Sequence, residues 1–447
     1  MTDQTESTLV NRLASLCRKQ WQQEPVIKFK SISEFPLVRL DGRSVDVAML
    51  WAYLKKGMIQ VREPNGMLSG LKGQNHSFKA GFGRTTVQIH SASHRNLCGL
   101  WEQQTALINQ ILETAKPKNL SLLSFGRQPN AIPSQEQLTQ KFEYFSVLKN
   151  MQDAWVPFST VAHERFRVYV PSESRISVLN LFQWLWPVFV AVFGNDHIMG
   201  GKDHYQNHLF LRQVLKSKSE YFPITIPARI RTLEQWIKHT AGCSMLTAKD
   251  QDGWAIAHQN TFQSWADTVA PDDDTLWDHW VTHLKYTFEP AQLTRDGAIE
   301  VRYVAQQIQE IRHAFHALCL GIAHAHEEIW TFLYAFSPDE SRLDVRGLRM
   351  HEIVEQALNH ERDPSLALSR HLDKAIRYGL NAPEAFTGFI EGIMRHAEDA
   401  LSVHEPDAVQ SLNPIWNRLS EKKSPPQTLR SDFAIRGMST VMEKYLL

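Results

Sequence analysis

GAIEVRYVAQQ, Gly297 to Gln307, is the segment whose polar pattern asks for a chemical reason. Read as a strand, period two sets Glu300 and Arg302 on one face with Ala298, and Ile299, Val301 and Tyr303 on the other. One face is apolar and the other carries opposite charges. Two accounts fit. Either this is a solvent-facing ion pair, contributing about 0–1 kcal/mol, or the strand lines a polar cavity, its carboxylate available to a metal and its guanidinium to an anion. The choice turns on whether other strands offer matching polar faces.

Working outward, the chain of 447 residues with 43% hydrophobic content can bury a large core. Lys plus Arg and Asp plus Glu are 48 each, so no bulk charge points to nucleic acid. Cys17, Cys98, Cys243 and Cys319 are far apart and form no C-x-x-C pair, which argues against a zinc knuckle or disulfide framework and for reduced, cytoplasmic thiols. The first residues, MTDQTESTLVNRLASLCRKQW, lack the apolar run of a secretory signal. Ile176 to Gly194, ISVLNLFQWLWPVFVAVFG, is apolar but contains Asn180, Gln183 and Pro187, and reads as a buried core helix with no membrane role.

In chain order the pattern predicts a helix over 7–23, extended pieces on both sides of Phe35-Pro36, and a helix over 44–56. A strand over 57–63 follows, then a turn-rich connection over 65–75 and short strands over 76–82 and 84–92. Next come a helix over 95–115, a strand over 119–125, a helix over 135–150 and an extended piece from Phe158 to Val170. Residues 195–212 read as a polar loop, 275–285 as a helix, and the chain beyond Gln306 as helical. Hairpins without intervening helices imply an α+β fold: antiparallel strands from early and late parts of the chain in one sheet, helices packed on one side, a cavity on the other face, and a mostly helical C-terminal region. The expected division is a core of residues 1–310 and a helical layer of 311–447.

Several motifs fall short of a site. Gly200-Gly201-Lys202 lacks the Ser or Thr and the first glycine of a phosphate loop. The histidines His313, His316, His324 and His326 never make H-E-x-x-H. Ser159-Thr160 with His163 has no G-x-S-x-G context. Most of the tryptophans fall at helical apolar spacing, as core residues do.

Taken together, four segments in order resemble the glutamate–cysteine ligase family, in its plant-type and bacterial carboxylate–amine ligase branch. They are SEFPLVRLDGR, HSFKAGFGRTTVQIHSASHRNLCGLWEQ, NLFQWLWPVFVAVFGNDHIMGGKDHYQNHLFLR and LWDHWVTHLKYTFEPAQLTRDGAIEVRYVAQQ, spread over roughly residues 26–310. The resemblance implies a cradle in which ATP and Mg2+ meet the carboxylate of an amino acid, usually glutamate, to form an acyl phosphate that an amine attacks. Magnesium asks for hard oxygen ligands on several strands.

Here the sequence departs from the family pattern. Glu34 matches the second glutamate of the opening pair, but the first falls at Ile32; the hairpin carboxylates fall at Lys79 and Gln88, and a later acid at Ala305. Between Phe35 and Ala92 the only acids are Asp41, Asp46 and Glu63. By resemblance, Glu34 and Glu300 are the expected metal ligands, Arg302 the catalytic cation, and Lys202, Arg212, Lys79 and Gln88 the groups on phosphate or substrate. Glu63 or Asp203 could supply a metal ligand from elsewhere. Two functions follow: an ATP-dependent carboxylate–amine ligase, or, as the alternative, a catalytically degenerate relative serving as a binding, regulatory or scaffolding subunit. Either would take a nucleotide and an amino acid, as a homo-oligomer or joined to an active homologue.

Overall fold

The computed structural model describes residues 2–21, 26–139, 141, 152–216, 230–250, 253–256, 261–335, 372–381 and 384–447. Alternating side chains build one antiparallel sheet around a long central strand, β1 (Lys28–Arg39). Its first half pairs with β7 (His163–Tyr169), its middle with β5 (Thr86–His90), and its end with β6 (Leu120–Leu122). From β5 the sheet continues through β4 (Ser77–Ala80), β3 (Leu68–Lys72) and β2 (Ile59–Arg62); from β7 it continues through β13 (Ile299–Ala305) to β12 (Ala291–Leu293). Strands from residues 28 to 305 thus meet side by side, and the sheet is not closed.

Period two gives this sheet an apolar face and a polar one. Phe35, Phe78, Val87 and Ile89 turn toward the helix Leu97–Ala115, burying against its Leu107, Ile108 and Ile111. Phe29, Phe166, Val168, Ile299 and Val301 belong to the larger core, with Phe315 and Leu318 of the helix Gln309–His324. Each such side chain contributes roughly 1.5–3 kcal/mol by leaving water. The same outer face holds a fully buried carboxylate, Glu164. It accepts from Ser33 Oγ (2.9 Å) and Gln306 Nε2 (3.1 Å) and contacts His316 Nε2 at 2.8 Å, tying β1, β7 and the helix Gln309–His324 together.

Several sequence expectations change. The connection over 65–75 contains strand β3, because Leu68 and Leu71 have an apolar surface to cover. Only a single 3-10 turn, Gln135–Gln137, begins the helix expected over 135–150, most of which lies outside the described residues. Gln152–Ser159 is 3-10 helix, so the extended piece starts at His163. The apolar helix is two, Arg175–Trp184 and Trp186–Phe193, bent by 51° beside Pro187. Among the described residues no single helix is long and apolar enough to cross a membrane. The polar loop over 195–212 contains a small hairpin, β8 (Ile198–Met199) and β9 (Lys202–Asp203), and the start of the helix Leu209–Lys216.

Candidate functional site

The face of the sheet opposite the helices carries the charges. Across β4, β5 and β1, Lys79, Gln88 and Glu34 stand directly opposite one another. Ile32 pairs with Arg165, Lys30 with Arg167, and Arg167 in turn with Glu300. Register therefore gathers Glu34, Lys79, Gln88 and Glu300 on one face, although 266 positions separate the first from the last. The sequence expectation of a shared cradle rested on this placement.

A cavity of about 190 Å³ opens on that face. Gln88, His163, Arg165, Arg167, Glu300 and Arg302 form its sheet side; Phe82, Lys141, Tyr286 and Phe288 also line it, with Lys285 at the end of the helix Asp273–Lys285 and Tyr303 beside them. Tyr303 departs from the period-two expectation, which set it with Val301 on the apolar face. The register slips between Val301 and Val304, and Tyr303 takes φ 60°. Phe288 takes φ 52° on the same wall. Two bulky residues in the left-handed region store strain of about 1–3 kcal/mol each, as ligand clamps commonly do.

The carboxylates are occupied by the protein itself. Glu34, fully buried, accepts from Gln88 Nε2 (2.6 Å), from the His163 backbone N–H (3.1 Å) and from the Arg165 guanidinium. Gln88 completes its amide by accepting from His90 Nε2 (3.2 Å). Glu300, equally buried, accepts from Arg302 Nε (2.7 Å) and from Arg167. Burial alone would raise the Glu300 pKa, but Arg167 and Arg302 outweigh it and hold the carboxyl well below the usual range. His90 is pushed well below its ordinary value by burial and then by Lys79, Arg167 and Arg165, so its ring stays neutral. Burial raises the Tyr303 phenol to about 12.

Magnesium does not fit this donor set. It needs several oxygen ligands in an octahedron with their lone pairs available. Here each oxygen of Glu34 and Glu300 already accepts from a guanidinium or an N–H of the chain, and a cation, Lys79, stands opposite Gln88. Gln88 is the telling substitution: a glutamate there would set two carboxylates against each other and call for a cation between them, whereas the amide donates to Glu34 and needs none. Among the described residues no group of three or more His, Cys, Asp or Glu side chains is placed to hold a metal ion.

Of the other expected site residues, Arg302 lines the cavity, while Lys202 and Arg212 are not among its lining residues. Lys202 is exposed on the β8–β9 hairpin, and Arg212 bonds Asp373 at 2.5 Å. Asp203 pairs with Arg430 (3.0 Å). Sequence reasoning missed His163, Arg165 and Arg167. Their signal was legible in HERFRVY: alternation sends His163, Arg165 and Arg167 to one face, and Glu164, Phe166 and Val168 to the other.

The description of glutamate-cysteine ligase family 2 matches residues 34–328, about two thirds of the chain, and the chain belongs to that family. Among solved structures it resembles the glutamate–cysteine ligase of Francisella tularensis in complex with AMP, with TM-score 0.54 and 8% identity over 94% of this chain and 88% of that one. The bifunctional glutathione synthetase of Pasteurella multocida is similar with TM-score 0.47 and 10% identity over 97% and 52%. The complex of the prokaryotic ubiquitin-like protein Pup and its ligase PafA gives TM-score 0.38 and 10% identity over 94% and 67%. At 8% identity the first likeness is one of fold. No curated protein matches the chain.

Proposed function

We propose that this chain is a catalytically degenerate member of its family, a binding or regulatory subunit whose cradle holds a nucleotide or an amino-acid anion. The observation that carries this reading is the engagement of both cradle carboxylates, Glu34 and Glu300, by Arg165, Arg167 and Arg302. Phosphoryl transfer to a carboxylate brings two anions together, and family members meet that repulsion with metal held on acidic side chains. This cradle offers cations bound to the chain instead. A nucleotide is the natural guest of the fold, since the Francisella enzyme was solved with AMP. Such a subunit would serve a homologue that keeps the full set of glutamates, as a heteromer, or act as a homo-oligomer.

A second reading is favoured by the intact Glu-x-Arg of β13 at the cavity wall. In it the chain is an ATP-dependent carboxylate–amine ligase acting on glutamate or another amino acid, with Arg302 as the catalytic cation. One assay separates the two. Purified protein is incubated with ATP, magnesium and a pool of amino acids, and ADP is followed. The expected outcome is no amino-acid-dependent ADP. ADP release that needs an amino acid and disappears in Glu300→Gln would establish the ligase instead.

A further inference from the structure

We propose that the cavity binds the phosphate chain of a nucleoside triphosphate as the metal-free polyanion, and that magnesium weakens this binding. The inference rests on the proposed function and names the ligand form its cradle takes.

The argument begins with a count of charges on the wall. Among the described residues lining the cavity, Lys141, Arg165, Arg167, Lys285 and Arg302 are cationic and Glu300 alone is anionic. Glu34 lies under this surface and offsets Arg165, and Glu300 offsets one of the two charges of Arg167 and Arg302, so five cations against two carboxylates leave the wall net positive. The cations come from three directions. Arg165, Arg167 and Arg302 rise from neighbouring strands, Lys285 stands at the end of the helix Asp273–Lys285, and the Lys141 amine sits at the end of β4, donating to the Ala80 carbonyl (3.0 Å). A chain of phosphates has anionic oxygens pointing in several directions, which suits such an enclosure. A guanidinium meets two phosphate oxygens at once, and enclosure from solvent strengthens each contact.

Glu300 gives the arrangement its directionality. It bridges Arg167 and Arg302 and so holds both guanidinia in the wall before a ligand arrives. Fixed cations of this kind play the charge-neutralising part that a divalent ion plays elsewhere, without being lost to a chelator. Magnesium on the phosphates would cancel two of the ligand's charges and bring a hydrated dication against a wall whose cations outnumber its carboxylates. The sign of the magnesium effect is therefore reversed relative to a site that holds its nucleotide through metal.

The test is calorimetric titration of the full chain with ATP, inorganic tripolyphosphate and glutamate, each in EDTA and in excess magnesium chloride. ATP and tripolyphosphate are expected to bind in EDTA, with affinity at least tenfold lower in magnesium. Glu300→Gln keeps an amide oxygen to hold a guanidinium in the wall while removing the charge that competes with the ligand, and should bind tripolyphosphate at least as tightly as the parent. Lys285→Ala, at the rim, should bind it several-fold more weakly. Phosphate binding that appears only with magnesium, or that vanishes in Glu300→Gln while circular dichroism shows an unchanged fold, would overturn the inference. Binding of glutamate with no binding of either phosphate compound would also overturn it, yet leave the proposed function standing. Amino-acid-dependent ADP formation would do the reverse, removing the function while leaving metal-free binding to be read from the titration.

Discussion

At the scale of single residues, Gln88 and the buried histidines carry the sharpest expectations. Gln88→Glu would set a second carboxylate at the 2.6 Å contact now made by an amide. Like charges that close cost roughly 1–3 kcal/mol, unless a cation enters between them. The variant should melt below the parent in EDTA and recover in magnesium, read by thermal unfolding with both proteins in both buffers. His197 and His283 lie fully buried, and burial lowers each to about 4 from the ordinary 6.5. Their folded-state values are depressed, so the native state resists protonation that the unfolded chain accepts. Stability is therefore whole above about pH 6.5 and falls as pH drops from 6.5 toward 4, by on the order of 3 kcal/mol for each histidine. Urea midpoints measured at steps between pH 7.5 and 4.5 check the slope. Among the described residues the His197 ring, packed on Phe125, meets no hydrogen-bond partner on either nitrogen, so His197→Leu should flatten the slope at little cost near neutrality.

Among the elements, β7 shows how one strand serves two faces. Its odd-numbered members His163, Arg165 and Arg167 furnish the cavity, while Glu164, Phe166 and Val168 anchor the helices behind. Strand period made this readable from HERFRVY. The direction of Tyr303 was not readable, because a single register slip between Val301 and Val304 undoes the alternation, and slips depend on the partner strand. The break at Trp186-Pro187 is of the same kind. Apolar composition marked the segment as buried helix, and the proline's missing N–H divided it. Behind the sheet, the helix Gln309–His324 meets Glu384–His404 so closely that a Cβ on Gly321 would lie 2.6 Å from the Ala397 carbonyl oxygen. Backbone cannot yield as a flexible side chain does. Gly321→Ala should cost about 1–3 kcal/mol, seen as a lowered urea midpoint with an unchanged slope.

For the whole molecule, the excess of cations on the cradle wall predicts binding that depends on ionic strength. Raising potassium chloride from about 50 mM to about 500 mM should weaken tripolyphosphate binding at least tenfold, measured by titration, whereas recognition through neutral hydrogen bonds would barely change. The net charge of zero hid this, because the 48 basic and 48 acidic residues balance over the chain while the cavity wall carries an excess of cations. From the residues alone came the antiparallel hairpins, the ligase resemblance, the polar face of Glu300 and Arg302, and the loss of carboxylates at Ile32, Lys79 and Gln88. These are local properties, set by period and residue type. That Glu34 would be sealed by Arg165, and Glu300 clasped from both sides, was decided by tertiary pairing. Strand neighbours are chosen by which apolar faces can be buried together, and the charges on the reverse face meet the partners that this choice brings them.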